Sequence, residues 1–361
     1  MRIVVTGATG NIGTAVLRRL GADGHELTGV ARRLPDPDGE ADDLGVDWQR
    51  VDWRSIDLTA DTAVSGLTEA FRGADAVVHL AWGFQPSHDL RQLAELGVGG
   101  THRVLAAITA AGVPHLVHLS SLGVYSPKHD DAPVDESWPT DGVPTSPYSR
   151  HKVAAERLLD EHEADGPGTL VTRLRPGIVG QAAASSAQMR YGLPGIVPAG
   201  LLRLLPVLPL DRSLRVSMVH AGDVADAVAR VLDQRAVGAF NLAADPPITT
   251  DRIAEALGAR PVHVPSGVLH WLAWLSWRAH LQPIDGGWLD MAFALPLLDS
   301  GRARRELGWA PTKDAVEVLH EVVENMRRHT AGPTPVLRER TVPQALKDFA
   351  TRGPVDERDR P

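Results

Sequence analysis

The fold of this chain is decided by the stretch Thr6-Gly7-Ala8-Thr9-Gly10-Asn11-Ile12-Gly13. It follows the apolar run Arg2–Thr6, which is typical of a buried strand, and it precedes the helical pattern of Ile12–Leu20. Glycines three residues apart permit a tight turn, a close approach of the backbone to a pyrophosphate, and close packing of the helix on the strand. A phosphate would meet the helix N-terminus there. The stretch therefore predicts a dinucleotide site made by Gly7, Thr9, Gly10, Asn11, Ile12 and Gly13.

Outward from this turn, short apolar runs alternate with longer helical patterns over residues 1–175. This alternation is typical of βαβ units, because parallel strands need crossover helices between them. The chain is predicted to be an α/β protein, with a Rossmann-type doubly wound parallel sheet and a smaller, mainly helical C-terminal substrate lobe. Strands are expected at Arg2–Thr6, Glu26–Ala31, Trp48–Val51, Ala76–Ala81, His115–Leu119, Leu170–Leu174, Val216–Val219 and Ala239–Leu242, and one long helix at Arg91–Ala111.

The domain organisation follows from changes in this pattern. Residues 1–175 and 214–245 are predicted to form the dinucleotide-binding domain, since two strand-like runs after residue 214 look like a return to the sheet. Residues 176–213 and 246–330 are expected to form the substrate lobe, and the apolar stretch Leu193–Leu210 lies within it. Residues 331–361 are polar and proline-containing, so they are expected to form a loose tail.

The composition excludes several classes of function. The chain has 361 residues, a net charge of −8 and no cysteine. Disulfides, thiol nucleophiles and cysteine-rich metal sites are therefore excluded, and the histidine spacings match no metal site, so no metal is predicted. An acidic chain has no basic surface for nucleic acid, and no apolar run reaches the about 18 residues that a membrane span requires. A soluble, cytoplasmic protein is expected.

The choice of dinucleotide depends on the end of the second strand, which reads Val30-Ala31-Arg32-Arg33. An acidic residue there would bind the ribose 2′-OH of NAD, whereas arginine accommodates the 2′-phosphate of NADP. Arg32 and Arg33 therefore predict NADP in preference to NAD, with two solvated surface arginines as the alternative. Asp52 and Trp53 follow the third predicted strand, where the carboxylate would meet the adenine amino group. A loop acid beside a packing tryptophan is the alternative there.

A candidate catalytic pair lies in Pro147-Tyr148-Ser149-Arg150-His151-Lys152, within a predicted helix. The four-residue spacing puts Tyr148 and Lys152 on one helix face. An ammonium near a phenol favours the phenolate and lowers the pKa of the tyrosine, which suits it to acid–base chemistry. Ser120 and Ser121 follow the strand His115–Leu119, at the edge of the sheet where ligands bind in such folds.

Together these motifs resemble the extended short-chain dehydrogenases/reductases, often called the NAD-dependent epimerase/dehydratase family. The matching motifs run in family order and are the Thr6–Gly13 turn, His79-Leu80-Ala81, Ser120–Tyr125, Asp135-Glu136, Tyr148 with Lys152, Arg175–Gly180 and Val219–Ala225. The resemblance implies that Tyr148 is the catalytic acid/base, that Lys152 tunes it and holds the nicotinamide ribose, and that Ser121 binds the substrate oxygen. It also implies a homodimer, and cofactor contacts at Leu80, Ala81, Trp82, Pro176, Gly177 and Ile178.

The chain departs from the family pattern at three places. Gly97 replaces an asparagine of the fourth helix, which puts a structural hydrogen bond or a relay water in doubt. Arg175-Pro176-Gly177 stands where sugar-nucleotide enzymes often carry asparagine, and Ser121–Gly123 lacks their Thr-Asp-Glu. The last two departures argue against sugar-nucleotide chemistry. The intact set of Ser121, Tyr148 and Lys152 and the apolar stretch Leu193–Leu210 favour an NADP-dependent oxidoreductase acting on a hydroxyl/carbonyl pair of a mostly apolar small molecule. The alternatives are a sugar-nucleotide epimerase or dehydratase with tightly bound NAD, and a non-catalytic dinucleotide-sensing protein.

Three tryptophans, Trp271, Trp274 and Trp277, lie in one predicted helix of the C-terminal part. Their spacing drifts around the helix rather than forming one stripe. Packing in the core of the substrate lobe is expected for them. An aromatic substrate wall, a dimer surface and a membrane-surface helix are the alternatives.

Overall fold

The computed structural model describes residues 1–35, 45–83, 89–166, 168–185, 206–279, 284–328 and 330–338. Its strands are β1 (Arg2–Thr6), β2 (Glu26–Ala31), β3 (Val51–Ser55), β4 (Ala76–His79), β5 (His115–Leu119), β6 (Leu170–Pro176), β7 (Ile178–Gly180), β8 (Val207–Leu210), β9 (Arg215–His220), β10 (Gly238–Leu242), β11 (Ala244–Thr249) and β12 (Arg260–His263). Its helices are α1 (Asn11–Ala22), α2 (Ala63–Phe71), α3 (Leu90–Ala94), α4 (Gly100–Ala111), α5 (Pro147–Ala164), α6 (Ala221–Gln234), α7 (Thr250–Leu257), α8 (Ser266–Arg278), α9 (Gly286–Ala294), α10 (Gly301–Leu307) and α11 (Ala315–Arg327).

Seven strands form a parallel sheet in the order β10-β6-β5-β4-β1-β2-β3. Because β2 and β3 lie on one side of β1 and β4 on the other, the strand order reverses between β1 and β4. The carboxyl ends of these two strands border the crevice where ligands bind in doubly wound sheets. The prediction of a Rossmann-type doubly wound sheet is confirmed.

Helices cover both faces of this sheet, which explains why its central strands are continuous apolar runs rather than alternating ones. Ile3 and Val5 pack with the buried residues of α1 and α6 on one face. Val4 and Val77 pack with those of α2 and α4 on the other. The sheet is therefore a rigid support for the loops at its carboxyl edge.

Several predicted elements differ in detail from those observed. β4 ends at His79 and not at the predicted Ala81. A 3₁₀ turn at Trp48–Arg50 precedes β3, so the strand predicted at Trp48–Val51 is placed too early. The helix predicted at Arg91–Ala111 is divided into α3 and α4 by a π-helical turn, Glu95–Gly99. Three glycines in and after that turn weaken the helix, and a tryptophan packs against one of them, as described below.

One strand that was expected in the main sheet lies elsewhere. Whereas β10 joins β6 in the main sheet, β9 pairs with β7 and β11 in a separate three-stranded sheet, so the predicted return of Val216–Val219 to the main sheet is wrong. The residue before β7 lies very close to β9, since a Cβ at Gly177 would lie 2.5 Å from the Ser217 carbonyl oxygen. Glycine at position 177 therefore permits the pairing of β7 with β9. The strands β8 and β12 form a further parallel pair.

The C-terminal part differs from the sequence prediction in two further ways. Thr334 and Leu337 are 0% and 1% exposed, so the part of the expected loose tail that is described is packed against the protein. The expected core packing of Trp271 and Trp274 is wrong, since these side chains are 56% and 44% exposed on a helix with no buried residue. Most of the apolar stretch Leu193–Leu210, and residues 339–361, lie outside the described residues.

Within the described parts of the chain, no helix combines the length and the apolar character needed to cross a bilayer.

Candidate functional site

The glycine turn lies at the carboxyl end of β1, against the segment that follows β4. Gly7 has a φ of +72°, and a Cβ on it would lie 2.7 Å from the Ala81 nitrogen. A Cβ on Gly13 would lie 2.3 Å from the Gly7 carbonyl oxygen, so the helix begins in direct contact with the turn. The sequence prediction that these glycines permit close backbone packing therefore agrees with the geometry. Leu80 and Ala81 are brought to the same crevice.

The start of α1 has the chemistry of a phosphate site. The helix begins at Asn11 and has no acidic residue in its first turn, so its free N–H groups and its dipole favour an anion. Asn11 Nδ2 donates to the Val179 carbonyl at 3.0 Å, while Asn11 Oδ1 is buried with no partner among the described residues. The N–H groups at the start of α1 therefore fit a dinucleotide pyrophosphate, whereas Asn11 Oδ1, which only accepts hydrogen bonds, would pair with a donor and not with a phosphate oxygen.

Gln181 is a residue of this region that the sequence analysis missed. Its Nε2 donates to the Asn11 carbonyl at 2.5 Å and to Thr14 Oγ1 at 3.3 Å. These bonds hold β7 and the segment after it against α1. Asn11 thus contacts both Val179 and Gln181, and a cofactor contact at the preceding Pro176, Gly177 and Ile178 stays a prediction. No short motif around Gln181 points to its contact with Asn11, because that contact joins residues that are 170 positions apart.

At the end of β2, Arg33 is partly buried and Arg32 is its neighbour. Burial lowers the pKa of Arg33, and the positive charges of Arg32 and Arg338 lower it further. Arg33 Nη2 donates to the Pro335 carbonyl at 3.5 Å. This cluster of guanidinium groups lies where a 2′-phosphate is expected in such folds.

Asp52 and Trp53 lie within β3 rather than after it, so their side chains point to opposite faces of the sheet. Asp52 is exposed, and its Oδ2 is 2.9 Å from Arg54 Nη2. The Trp53 ring packs against Gly29, where a Cβ would be 2.5 Å from it, and stacks on Trp48 at 5.9 Å between ring centroids. Trp53 therefore has a packing role, and an adenine contact at Asp52 stays a prediction.

Ser121 and Tyr148 meet at Gly123. A Cβ on Gly123 would lie 2.9 Å from Tyr148 Cε1 and 3.4 Å from Ser121 Oγ. Ser121 is buried, and its Oγ accepts a hydrogen bond from the Gly123 N–H at 3.0 Å. Tyr148 is in the first turn of α5, where the Ser146 side chain caps the helix and Pro147 begins it. The predicted hydroxyl and phenol are thus brought together at the carboxyl edge of β5.

Lys152 is one turn after Tyr148 on α5 and is buried. Its Nζ donates to the Leu119 carbonyl at 2.9 Å and lies 3.6 Å from the centroid of the Trp82 ring. Burial lowers the pKa of Lys152 to about 7, although the nearby Glu156 carboxylate raises it. Trp82 also contacts Tyr148 edge-on, at 6.3 Å between ring centroids. One tryptophan therefore contacts both members of the pair.

Trp82 also accounts for the glycine at position 97. A Cβ on Gly97 would lie 3.0 Å from the Trp82 ring. The Gly97 carbonyl accepts a hydrogen bond from Thr101 Oγ1 at 2.7 Å, within the helical segment that contains the π turn. The ring therefore occupies space that an asparagine side chain at position 97 would need. π-helical turns of this kind are frequent at functional sites.

The exposed side of Tyr148 faces an apolar wall. The Trp288 ring lies 5.4 Å from the Tyr148 ring, tilted by 32°. Leu122, Val143 and Met291 belong to the same cluster. Trp288 was not predicted as a site residue, although it lies at the end of the tryptophan-rich segment. This wall suits the apolar part of a small substrate.

A buried polar network connects α5 to the neighbouring strands. Arg175 Nη2 and Nε contact Glu156 at 2.5 and 2.9 Å, and Arg175 Nη1 donates to Tyr125 Oη at 3.1 Å. Tyr125 Oη donates to Asn241 Oδ1 at 2.6 Å, and Ser120 Oγ donates to Glu156. Several motif residues of the resemblance therefore have structural roles. They join the ends of β5, β6 and β10 to α5.

His79 makes a pH-dependent contribution to stability. It is fully buried and forms hydrogen bonds with Thr6 and Thr101. Burial lowers its pKa from 6.5 to about 3, and the positive charge of Lys152 acts in the same direction. The unfolded chain takes up this proton below pH 6.5 whereas the folded chain does not, so the stabilising contribution is complete above 6.5 and decreases as the pH falls toward 3.

We therefore expect the wild type to lose about 2 kcal/mol more unfolding free energy between about pH 7.5 and pH 5 than the variant His79→Asn. Urea unfolding at the two pH values measures the difference. The control His102→Asn changes an exposed histidine of α4 and should retain the wild-type difference. Equal pH slopes for wild type and His79→Asn would contradict the assignment.

Within the described residues, no group of three or more His, Asp or Glu side chains could hold a metal ion.

Known proteins share both the sequence pattern and the fold. The family model described as NAD dependent epimerase/dehydratase family matches residues 3–243. An L-arabinose 1-dehydrogenase (NAD(P)(+)) of Haloferax volcanii is 30% identical over 244 residues, which are 62% of this chain and 89% of that enzyme. A structure of UDP-glucose-4-epimerase from Stenotrophomonas maltophila with bound NAD and formylated UDP-arabinopyranose is similar at a TM-score of 0.67 and 22% identity, covering 91% of this chain and 98% of that one.

Other relatives are much longer than this chain. Its 28% identity over 324 residues to an uncharacterized protein of Mycobacterium tuberculosis covers 89% of this chain but 29% of that protein. At 22% identity, the likeness to the epimerase structure concerns the fold alone.

Proposed function

Since the chain belongs to the NAD-dependent epimerase/dehydratase family, we propose that it is an NADP-dependent oxidoreductase of the extended short-chain type. It interconverts a hydroxyl and a carbonyl group on a mostly apolar small molecule. The observation that carries this proposal is the meeting of Ser121 and Tyr148 at Gly123, beside the apolar wall of Trp288 and Met291. The Trp82 ring connects Lys152 to this place, because it contacts the Lys152 ammonium on its face and the Tyr148 ring on its edge.

The proposed chemistry uses three side chains. The bound nicotinamide would supply or accept the hydride at the substrate carbon. Ser121 Oγ holds the substrate oxygen, and Tyr148 Oη gives a proton to that oxygen in reduction or takes one in oxidation. The Lys152 ammonium favours the phenolate form of Tyr148. The packing of Trp82 and Trp288 on Tyr148 restricts its orientation and excludes water from one side of the phenol.

The cofactor is proposed to lie across the crevice between β1 and β4. Its pyrophosphate would contact the glycine turn and the start of α1, and its 2′-phosphate would contact Arg32 and Arg33. The Haloferax relative is named as an enzyme of NAD(P)(+), which supports a dinucleotide without deciding the preference. The guanidinium groups favour NADP because they match a phosphate dianion in charge and shape. We also propose that residues 1–175 and 214–245 form the dinucleotide-binding domain. The protein is further proposed to be a homodimer.

Titration with NADPH and with NADH tests this proposal first, with energy transfer from the nine tryptophans to the reduced nicotinamide as the signal. We expect NADPH to bind at least about tenfold more tightly, as one charge-assisted contact would provide. Loss of nicotinamide absorbance with a panel of apolar ketones and aldehydes should follow. An epimerase or dehydratase would instead contain tightly bound oxidised cofactor and show no net consumption of NADPH.

A further inference from the structure

The C-terminal segment, residues 330–338, packs against the glycine turn. Thr334 is completely buried, and its Oγ1 donates to the Thr9 carbonyl at 2.8 Å. Leu337 is 1% exposed and packs on Ala183 and Ala184, with Trp48 at the edge of the cluster. The segment is therefore anchored at a polar and an apolar point, more than 300 residues from the turn that it covers.

The segment also has a compact backbone of its own. The N–H groups of Leu337 and Arg338 both donate to the Thr334 carbonyl at 3.0 Å, and the Gly332 N–H donates to the Leu337 carbonyl at 2.9 Å. This turn brings the Pro335 carbonyl, three residues before Arg338, to the end of β2. Arg33 Nη2 contacts the Pro335 carbonyl at 3.5 Å, and the Arg338 charge acts on the Arg33 guanidinium.

We propose that Arg338 is a specificity-determining residue that binds the 2′-phosphate of NADP together with Arg32 and Arg33, and that the anchored turn at Thr334 presents it. The proposal rests on the proposed cofactor preference of this site. It adds a third guanidinium, which the sequence analysis assigned to a loose tail.

The arrangement of charges supports this role. Arg338 is exposed, so its guanidinium is accessible to a ligand, whereas Arg33 is partly buried. The positive charges of Arg32 and Arg338 each act unfavourably on Arg33, and a phosphate dianion bound by these guanidinium groups would relieve that repulsion while accepting charge-assisted hydrogen bonds. A ribose 2′-OH, which carries no charge, would gain little from the same cluster. Arg338 is therefore expected to affect NADPH and not NADH.

Fluorescence titrations of the full chain test the proposal, with adenosine 2′,5′-bisphosphate and 5′-AMP as competitors that isolate the 2′-phosphate. We expect Arg338→Ala to weaken NADPH and adenosine 2′,5′-bisphosphate by about tenfold or more, with NADH and 5′-AMP unchanged. Arg338→Lys should restore part of the affinity, because it retains the charge but not the forked geometry. Thr334→Val, which removes the hydroxyl that holds the turn, should weaken NADPH more than NADH; a smaller effect on both is expected, because that hydroxyl also contacts the glycine turn that the two cofactors share.

The matched control is Arg328→Ala, which removes one positive charge from an exposed pair with Glu324 in the same part of the chain. It should leave both cofactors unchanged. If wild type prefers NADPH and Arg338→Ala retains that preference, the role of Arg338 is overturned while the proposed cofactor stands. If wild type prefers NADH, both are overturned. Tighter binding of both cofactors to the variants would mean that the segment obstructs the site, which also overturns the proposal.

Discussion

Replacing Tyr148 with phenylalanine is expected to lower kcat by about 10²–10⁴-fold, the usual contribution of a general acid or base. Phenylalanine retains the ring that packs on Trp82, Trp288 and Gly123. Only the hydroxyl that is proposed to transfer the proton is lost, so NADPH affinity and the unfolding free energy should change little. Steady-state kinetics on a substrate from the ketone panel, beside an NADPH titration, separates the two effects.

Tyr125→Phe is the matched control, because it removes a tyrosine hydroxyl that is buried in the network with Asn241 and Arg175. Its loss should reduce the unfolding free energy by about 1–3 kcal/mol, the cost of leaving buried partners unpaired, while kcat of the folded protein is largely retained. Wild-type turnover by Tyr148→Phe would refute the proposed proton transfer. Normal binding with no turnover in the wild type itself, across a broad panel, would instead favour a dinucleotide-sensing protein.

The second large effect is expected on stability, from Glu156→Gln. Glu156 and Arg175 form a buried ion pair in which both side chains are 7% exposed, and Ser120 donates to the same carboxylate. Glutamine fills the same space but leaves the guanidinium charge of Arg175 without its counter-ion. Because breaking a buried pair leaves an uncompensated charge, we expect a loss of about 3–5 kcal/mol of unfolding free energy. Urea unfolding followed by circular dichroism measures it.

Glu306→Gln is the control for this change, since Glu306 pairs with Arg302 on α10 while 52% exposed. Exposed pairs contribute about 0–1 kcal/mol, so that variant should unfold close to the wild type. A Glu156→Gln variant as stable as Glu306→Gln would mean that the network does not support α5. The kcat of Glu156→Gln, measured under conditions where that variant is folded, also reports whether the loss of the Glu156 charge changes the function of Lys152.

The parallel sheet and the glycine turn after β1 were predictable from the sequence because their signals are local. The bounds of β1, β2 and β5 were predicted correctly, since each strand is a short apolar run with punctuation at both ends. The four-residue spacing of Tyr148 and Lys152 is also a local signal, and it predicted that both residues lie on one face of a helix. The conformation of Gly7 and the close packing of Gly13 likewise follow from a motif of eight residues.

The tertiary structure alone decided which distant residues complete the site. Trp82 contacts Lys152 and fills the space beside Gly97, Trp288 covers Tyr148, and residues 330–338 pack on the glycine turn. Sequence periodicity reports which face of an element is buried, but not which other element buries it. The C-terminal segment has no such periodicity, and it is ordered by one hydroxyl and one leucine that find partners far away in the chain. Because such contacts depend on shape and packing between remote segments, they are determined only when the whole chain has folded.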